Sequence, residues 1–131
     1  MFRILLALLM LANSRFSGTW EGKMNDLPGV ELTIQDANGQ VSGSIGFYFQ
    51  TRGDDGKWQL GEKTTVPLLS PKLEGKVLKF ETIHHKKHGS EELGPNNKYR
   101  VVFVNDSEAR LQIINGQFRE DESAGIKLTR R

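Results

Sequence analysis

From Trp20 onward the apolar residues of this chain recur at every second position almost everywhere, and no comparable stretch repeats at helical spacing. A period of two sends successive side chains to opposite faces of a strand, so each run has one face to bury. Trp20, Gly22 and Met24 alternate with Glu21, Lys23 and Asn25. Val30, Leu32 and Ile34 alternate with Glu31, Thr33 and Gln35. Val41, Gly43, Ile45, Phe47 and Phe49 alternate with Ser42, Ser44, Gly46, Tyr48 and Gln50. Leu78 and Phe80, then Tyr99, Val101 and Phe103, then Leu111 and Ile113, then Ile126 and Leu128 continue the scheme. The pattern predicts about eight strands. Asn38-Gly39 suits a two-residue hairpin turn, and Asp55-Gly56, Asn105-Asp106 and Asn115-Gly116 carry weaker forms of that signal. Short links make successive strands pair as an antiparallel meander. Closing such a meander removes its exposed edges. The expected fold is therefore all-β, a single antiparallel meander of about eight strands closed as a small barrel.

The first residues follow a different rule. Arg3 is the one charge before Arg15, and Ile4 to Ala12 is an unbroken apolar run followed by Asn13-Ser14. That is the charged, apolar and small-residue order of a secretory signal, and the run is far short of the roughly 20 apolar residues of a membrane span. The expectation is a signal peptide over 1–14 and a β-barrel domain over 15–131, secreted or periplasmic, with no membrane span once the signal is removed. The chain has no cysteine, which excludes a disulfide framework, a thiolate metal site and a thiol nucleophile. Losing Arg3 lowers a formal net charge of only +2, which argues against nucleic acid as a partner.

The run Phe16-Ser17-Gly18-Thr19-Trp20-Glu21-Gly22 opens the first strand. Gly18-Thr19-Trp20 resembles the Gly-x-Trp signature of the calycin barrels, which include lipocalins, fatty-acid-binding proteins and avidins. The resemblance implies that Trp20 closes one barrel end and that an arginine of the last strand packs over it. Leu128-Thr129-Arg130 supplies that arginine as Arg130. The chain departs from each family. Too few residues precede Val30 for a helical lid, and Trp20 and Trp58 are too few tryptophans for the avidin aromatic box. None of those ligands is carried over. The chain is also similar to small exported bacterial domains with Gly-Thr-Trp-Glu-Gly (18–22), Val-x-Gly-x-Ile (41–45), Pro-Lys-Leu-Glu-Gly-Lys-x-Leu-x-Phe (71–80) and Leu-Thr-Arg (128–130). This likeness spans nearly the whole domain and implies export and a barrel, but no reaction.

Three candidate sites follow. If the barrel is hollow, Trp20, Leu32, Ile45, Phe47, Phe80, Phe103 and Leu111 line it with Arg130 at one end, and the ligand is small and apolar. His84-His85-Lys86-Lys87-His88 gathers all three histidines before Glu91 and Glu92. On an extended strand His84 and His88 face one way, and with Glu91 they offer imidazole and carboxylate to a metal, although the interleaved lysines repel a cation. The long connection from about His85 to Asn97 is the third candidate. With His85, Lys86, Lys87, Tyr48 and Trp58 it forms a surface for an envelope protein or polymer. The Tyr48 and Trp58 rings also read more simply as a cross-strand pair. Ser90 near His88 and Glu91 is not a preorganised triad, and there is no Gly-x-Ser-x-Gly elbow. The expected function is thus a binding module without catalysis or cofactor, its oligomeric state open. N-terminal sequencing of the exported protein should read from Arg15; a chain that still begins at Met1 would refute the signal assignment.

Overall fold

The computed structural model describes residues 15–37, 40–84, 91–114 and 125–131. These residues form nine strands: β1 (Gly18–Met24), β2 (Leu27–Ala37), β3 (Gln40–Arg52), β4 (Trp58–Pro67), β5 (Leu69–Glu74), β6 (Val77–Thr82), β7 (Asn97–Phe103), β8 (Glu108–Ile113) and β9 (Ile126–Arg130). All belong to one antiparallel sheet in the order β4-β3-β2-β1-β9-β8-β7-β6-β5, curled into a half-barrel. Among the described residues there is no helix, and none long and apolar enough to cross a membrane.

Most of the buried residues are those the alternation selects, although Met24 of the inward set is exposed and Val102 and Gln112, on the opposite face of β7 and β8, are buried. Trp20, Leu32, Ile45, Leu78, Val101 and Leu128 are fully buried, and they come from six different strands. Their strand neighbours Glu21, Glu31 and Lys79 face outward, as the register requires. Inside, Phe16 stacks on Phe103 with centroids 4.2 Å apart, and Phe80 stacks on Tyr99 at 5.3 Å. Offset and stacked pairs of this kind add about 0.5–1.5 kcal/mol each beyond the apolar area they bury.

Two expectations need correction. The count is nine strands instead of about eight, and the sheet is not closed by hydrogen bonds. Both have one cause. With every neighbour antiparallel, an odd number of strands leaves the two edges, β4 and β5, running the same way. Leu68 alone joins them. A one-residue link cannot reverse the chain into a hairpin, and a parallel pair needs a crossover of a dozen residues or more. The chain therefore runs on from β4 into β5, bending as it leaves one edge of the sheet and joins the other. The Leu68 amide donates to the Gly43 carbonyl at 3.0 Å, and Ser70 takes a left-handed φ of 49° just beyond. Pro71, which lacks an N–H, is tolerated because β5 is an edge strand.

A further correction concerns Phe49, which the alternation sends inward but which is 65% exposed. The last β2–β3 pair is Val30 with Phe47. Beyond it the β3–β4 ladder is irregular between Tyr48 and Gln50, which leaves Phe49 without a ladder partner and re-aims its side chain away from the core. Gly43 is required by close approach. A Cβ there would lie 2.0 Å from the Thr33 carbonyl oxygen, a backbone atom held in the β2–β3 ladder. Gly43→Ala should therefore cost about 2–3 kcal/mol, in the range of overpacked core sites, and lower the urea midpoint without changing its slope. A wild-type midpoint would show that the ladder yields at this point.

Candidate functional site

Trp20 sits at one end of the curled sheet, at 0% exposure. Its indole Nε1 donates to the Phe16 carbonyl at 3.1 Å, which satisfies the one polar atom of the ring. Phe103 tilts against it, with centroids 5.1 Å apart. The Arg130 guanidinium lies over the indole, 5.3 Å from the ring centroid. Arg130 reaches this position because β9 pairs with β1 in a register that places it opposite Trp20. Its Nη1 donates to the Asp106 carbonyl at 3.2 Å and its Nη2 to the Ser17 carbonyl. One side chain thus joins the lead-in to β1, the last strand and the turn before β8. The planar fork is what allows it to reach two carbonyls and cover a ring together.

The other candidate lining residues, Leu32, Ile45, Phe80 and Leu111, are all buried, and Phe47 is partly buried, 6.0 Å from Tyr99. These side chains pack on one another in a single core cluster. Tyr99 closes the other side of that cluster, its hydroxyl hydrogen-bonded by Thr82 and Asn97. Burial pushes its pKa above the ordinary phenol value, and the two hydrogen bonds oppose the shift only in part. The hydroxyl therefore stays neutral across the physiological range.

Tyr48 and Trp58 are not a cross-strand pair. Tyr48 stands opposite Lys63 and Trp58 opposite Arg52. Each ring carries its partner's cation instead, Lys63 Nζ at 5.7 Å from Tyr48 and the Arg52 guanidinium at 5.9 Å from Trp58. Trp58 is 42% exposed on the overhanging hairpin. His85, Lys86, Lys87 and His88 lie outside the described residues. His84 and Glu91 are both exposed, and Gly94 N–H donates to the His84 carbonyl at 2.9 Å. Among the described residues, no three His, Asp or Glu side chains are grouped to hold a metal ion.

The structure also brings together residues the sequence reading did not single out. A groove of about 880 Å³ crosses β9, β1, β2 and β3, lined in part by Glu21, Lys23, Val30, Glu31, Tyr48 and Thr129. The β1 bulge between Gly22 and Lys23 lies among its lining residues. Such bulges re-aim side chains beside sites. Arg131, also in the lining, pairs with Glu21 and, at 3.3 Å, with Glu31. Lys63 pairs with the other Glu31 oxygen at 3.3 Å. The hydrogen bond to Glu21 and then its charge raise the Arg131 pKa above its ordinary value. Alternation marks Glu21 and Glu31 as outward-facing, but nothing in the sequence signals that residue 131 returns beside residue 21.

Comparison with protein-family models, with curated proteins and with solved structures finds no match to this chain. Its chemistry has to be read from geometry alone.

The Arg130 contacts define a measurable unit. Arg130→Ala removes a cation–π contact and two hydrogen bonds to carbonyls, and should destabilise the fold by about 2–3 kcal/mol. Arg130→Lys should recover less than half of this, because an ammonium cannot span both carbonyls and the ring. Guanidinium denaturation followed by tryptophan emission measures both; a fully stable Arg130→Ala would show that the plug does not need its cover.

Proposed function

We propose that this chain is a non-catalytic binding module that acts through its surface, taking a small polar ligand or a short polymer segment into the groove across β9, β1, β2 and β3. The observation that carries this reading is the contrast between that groove and the curled interior. The groove has the volume of small-molecule sites, and it sets an aromatic ring among paired donors and acceptors. The residues first assigned to an interior cavity are occupied with one another, as their 0–2% exposure at Trp20, Leu32, Ile45, Phe80, Phe103 and Leu111 indicates.

Export through a signal peptide over 1–14 belongs to the same proposal, as does membership of the calycin-like barrels. The N-terminal charge and apolar order supports the first. The second is supported by the Arg130 guanidinium over Trp20. An apolar ligand inside the curl is the competing reading.

Chemical-shift mapping on the ¹⁵N-labelled protein separates the two. A panel of sugars and short peptides should shift the amides of Glu21, Lys23, Tyr48 and Thr129, and Tyr48→Ala should weaken any hit several-fold. Saturable binding of a fatty-acid probe, with shifts centred on Trp20, Phe80 and Phe103, would overturn the surface reading and establish the interior one.

A further inference from the structure

Two rings stand on the outer face of the β3–β4 hairpin: Tyr48 lines the groove, and Trp58 lies beyond it. Successive cross-strand pairs connect them, Tyr48 with Lys63, Gln50 with Leu60 and Arg52 with Trp58. Tyr48, Gln50 and Arg52 alternate along β3 and so share one face of it. Trp58 stands opposite Arg52, four residues along β3 from Tyr48. At the usual strand rise that separation is about 13 Å. Gln50 fixes the strip between the rings. Its Nε2 donates to the Met24 carbonyl at 2.9 Å and to the Pro28 carbonyl at 3.0 Å, and its Oε1 accepts from Asn25 Nδ2 at 2.9 Å. These bonds tie the β3–β4 hairpin to the β1–β2 turn, so the spacing of the rings is set before any ligand arrives. Arg52 engages one side of the indole, and Trp58 still exposes 42% of its surface to a ligand.

The chemistry of this strip selects a class of ligand. Main-chain donors and acceptors lie in the plane of a sheet, so a ligand on its face meets rings and polar side chains instead. The charges of the groove are largely matched. Glu21 and Glu31 are paired by Arg131 and Lys63, Lys127 pairs with Glu108 at 3.6 Å, and Lys23 is solvent-exposed. Groups paired in this way donate and accept hydrogen bonds without a field that draws in a polyanion or a polycation. A sugar suits both conditions, because its apolar C–H face stacks on an aromatic ring and its hydroxyls both donate and accept. We propose that the ligand of the groove is an uncharged, extended glycan that stacks one sugar on Tyr48 and another on Trp58. The inference rests on the groove reading above and adds to it a second contact at Trp58. The separation of the rings exceeds the width of one sugar, so a monosaccharide reaches one ring and a chain reaches both. Linked contacts bind as a unit, and affinity then rises with chain length. Gln50, whose amide is taken up by the β1–β2 turn, is a positioning residue that holds the two rings apart.

The test titrates the ¹⁵N-labelled protein with chito-oligosaccharides and cello-oligosaccharides of increasing length, each series beginning at its monosaccharide. The shifts are read at the groove amides of Glu21 and Thr129 and at the Trp58 Nε1–H. The Trp20 Nε1–H, buried and bonded to the Phe16 carbonyl, is the internal reference. Saturable shifts at both places are expected with one series, and affinity should rise about tenfold or more from the disaccharide to the longer oligomers. Trp58→Ala, a change at an exposed position, should keep a melting midpoint close to wild type and lose that gain. Trp58→Phe, which keeps a ring, should retain part of it. Gln50→Met preserves side-chain length without the hydrogen bonds and should also lose the gain, a split between long and short oligomers that a general loss of stability does not produce. Groove shifts without a response at Trp58, or affinity independent of length, would overturn this inference and leave the groove reading in place. Shifts at Trp58 caused by a proline-rich peptide and by neither series would overturn the glycan assignment. Silence at both places toward both series overturns it as well, and a peptide panel that is equally silent removes the groove reading with it.

Discussion

A sheet with one apolar face must cover that face, and among the described residues nothing but the sheet itself is present to do it. Among those residues there is no helix to lay across the apolar side. The sheet must therefore curl until its own strands meet across the core, and β1 and β7, three places apart in the strand order, pack Trp20 against Phe103. Curling solves burial along the strands but leaves two openings, the ends of the curl and the gap between its edges. The rest of the architecture can be understood as the answer to those two openings.

One end is plugged by Trp20 and covered by Arg130, whose guanidinium adds side-chain links from β9 to the lead-in to β1 and to the turn before β8. The gap between edges is crossed by the chain itself at Leu68, and no hydrogen-bonded ladder completes it, because nine antiparallel strands leave parallel edges. The same economy explains the overhanging β3–β4 hairpin. It extends past the β2 ladder and exposes Trp58 and Leu60, since the curl has no further strand to bring against them, while Phe49 is turned out at the irregularity between Tyr48 and Gln50. On the outside, the strands are free to carry charge. The sheet uses that freedom in two ways: mixed pairs around Glu21, Glu31 and Arg131, and a row of like charges at Lys72, Lys79 and Arg100.

Much of this is legible in the sequence wherever a residue's fate depends on its nearest neighbours. Leu32 between Glu31 and Thr33, or Leu128 between Lys127 and Thr129, announces a strand whose one face is buried. Turn chemistry is local as well, although Asn25-Asp26, with φ values of 55° and 62°, makes a hairpin turn without the glycine that usually signals one. Asparagine and aspartate tolerate that region, so the signal was present but weak. The strand β4 gave less to read, because nearly every residue from Trp58 to Pro67 is exposed and its apolar positions follow no period.

Alternation by itself determined the all-β class, the inward set from Trp20 to Leu128 and the outward set that carries the charges, because a strand's pleat assigns faces from one residue to the next. The resemblance at Gly18-Thr19-Trp20 and Arg130 pointed to a covered tryptophan, and the register of β1 with β9 places the two side by side. Only the tertiary structure decided how the strands close, where the core ends and which outward residues meet. Strand parity, the reach of β2 beside β3, and the pairing of Arg131 with Glu21 across a separation of 110 residues are properties of the assembled sheet. No window of the sequence contains both members of such a pair. The register that joins them is set by the whole ladder between.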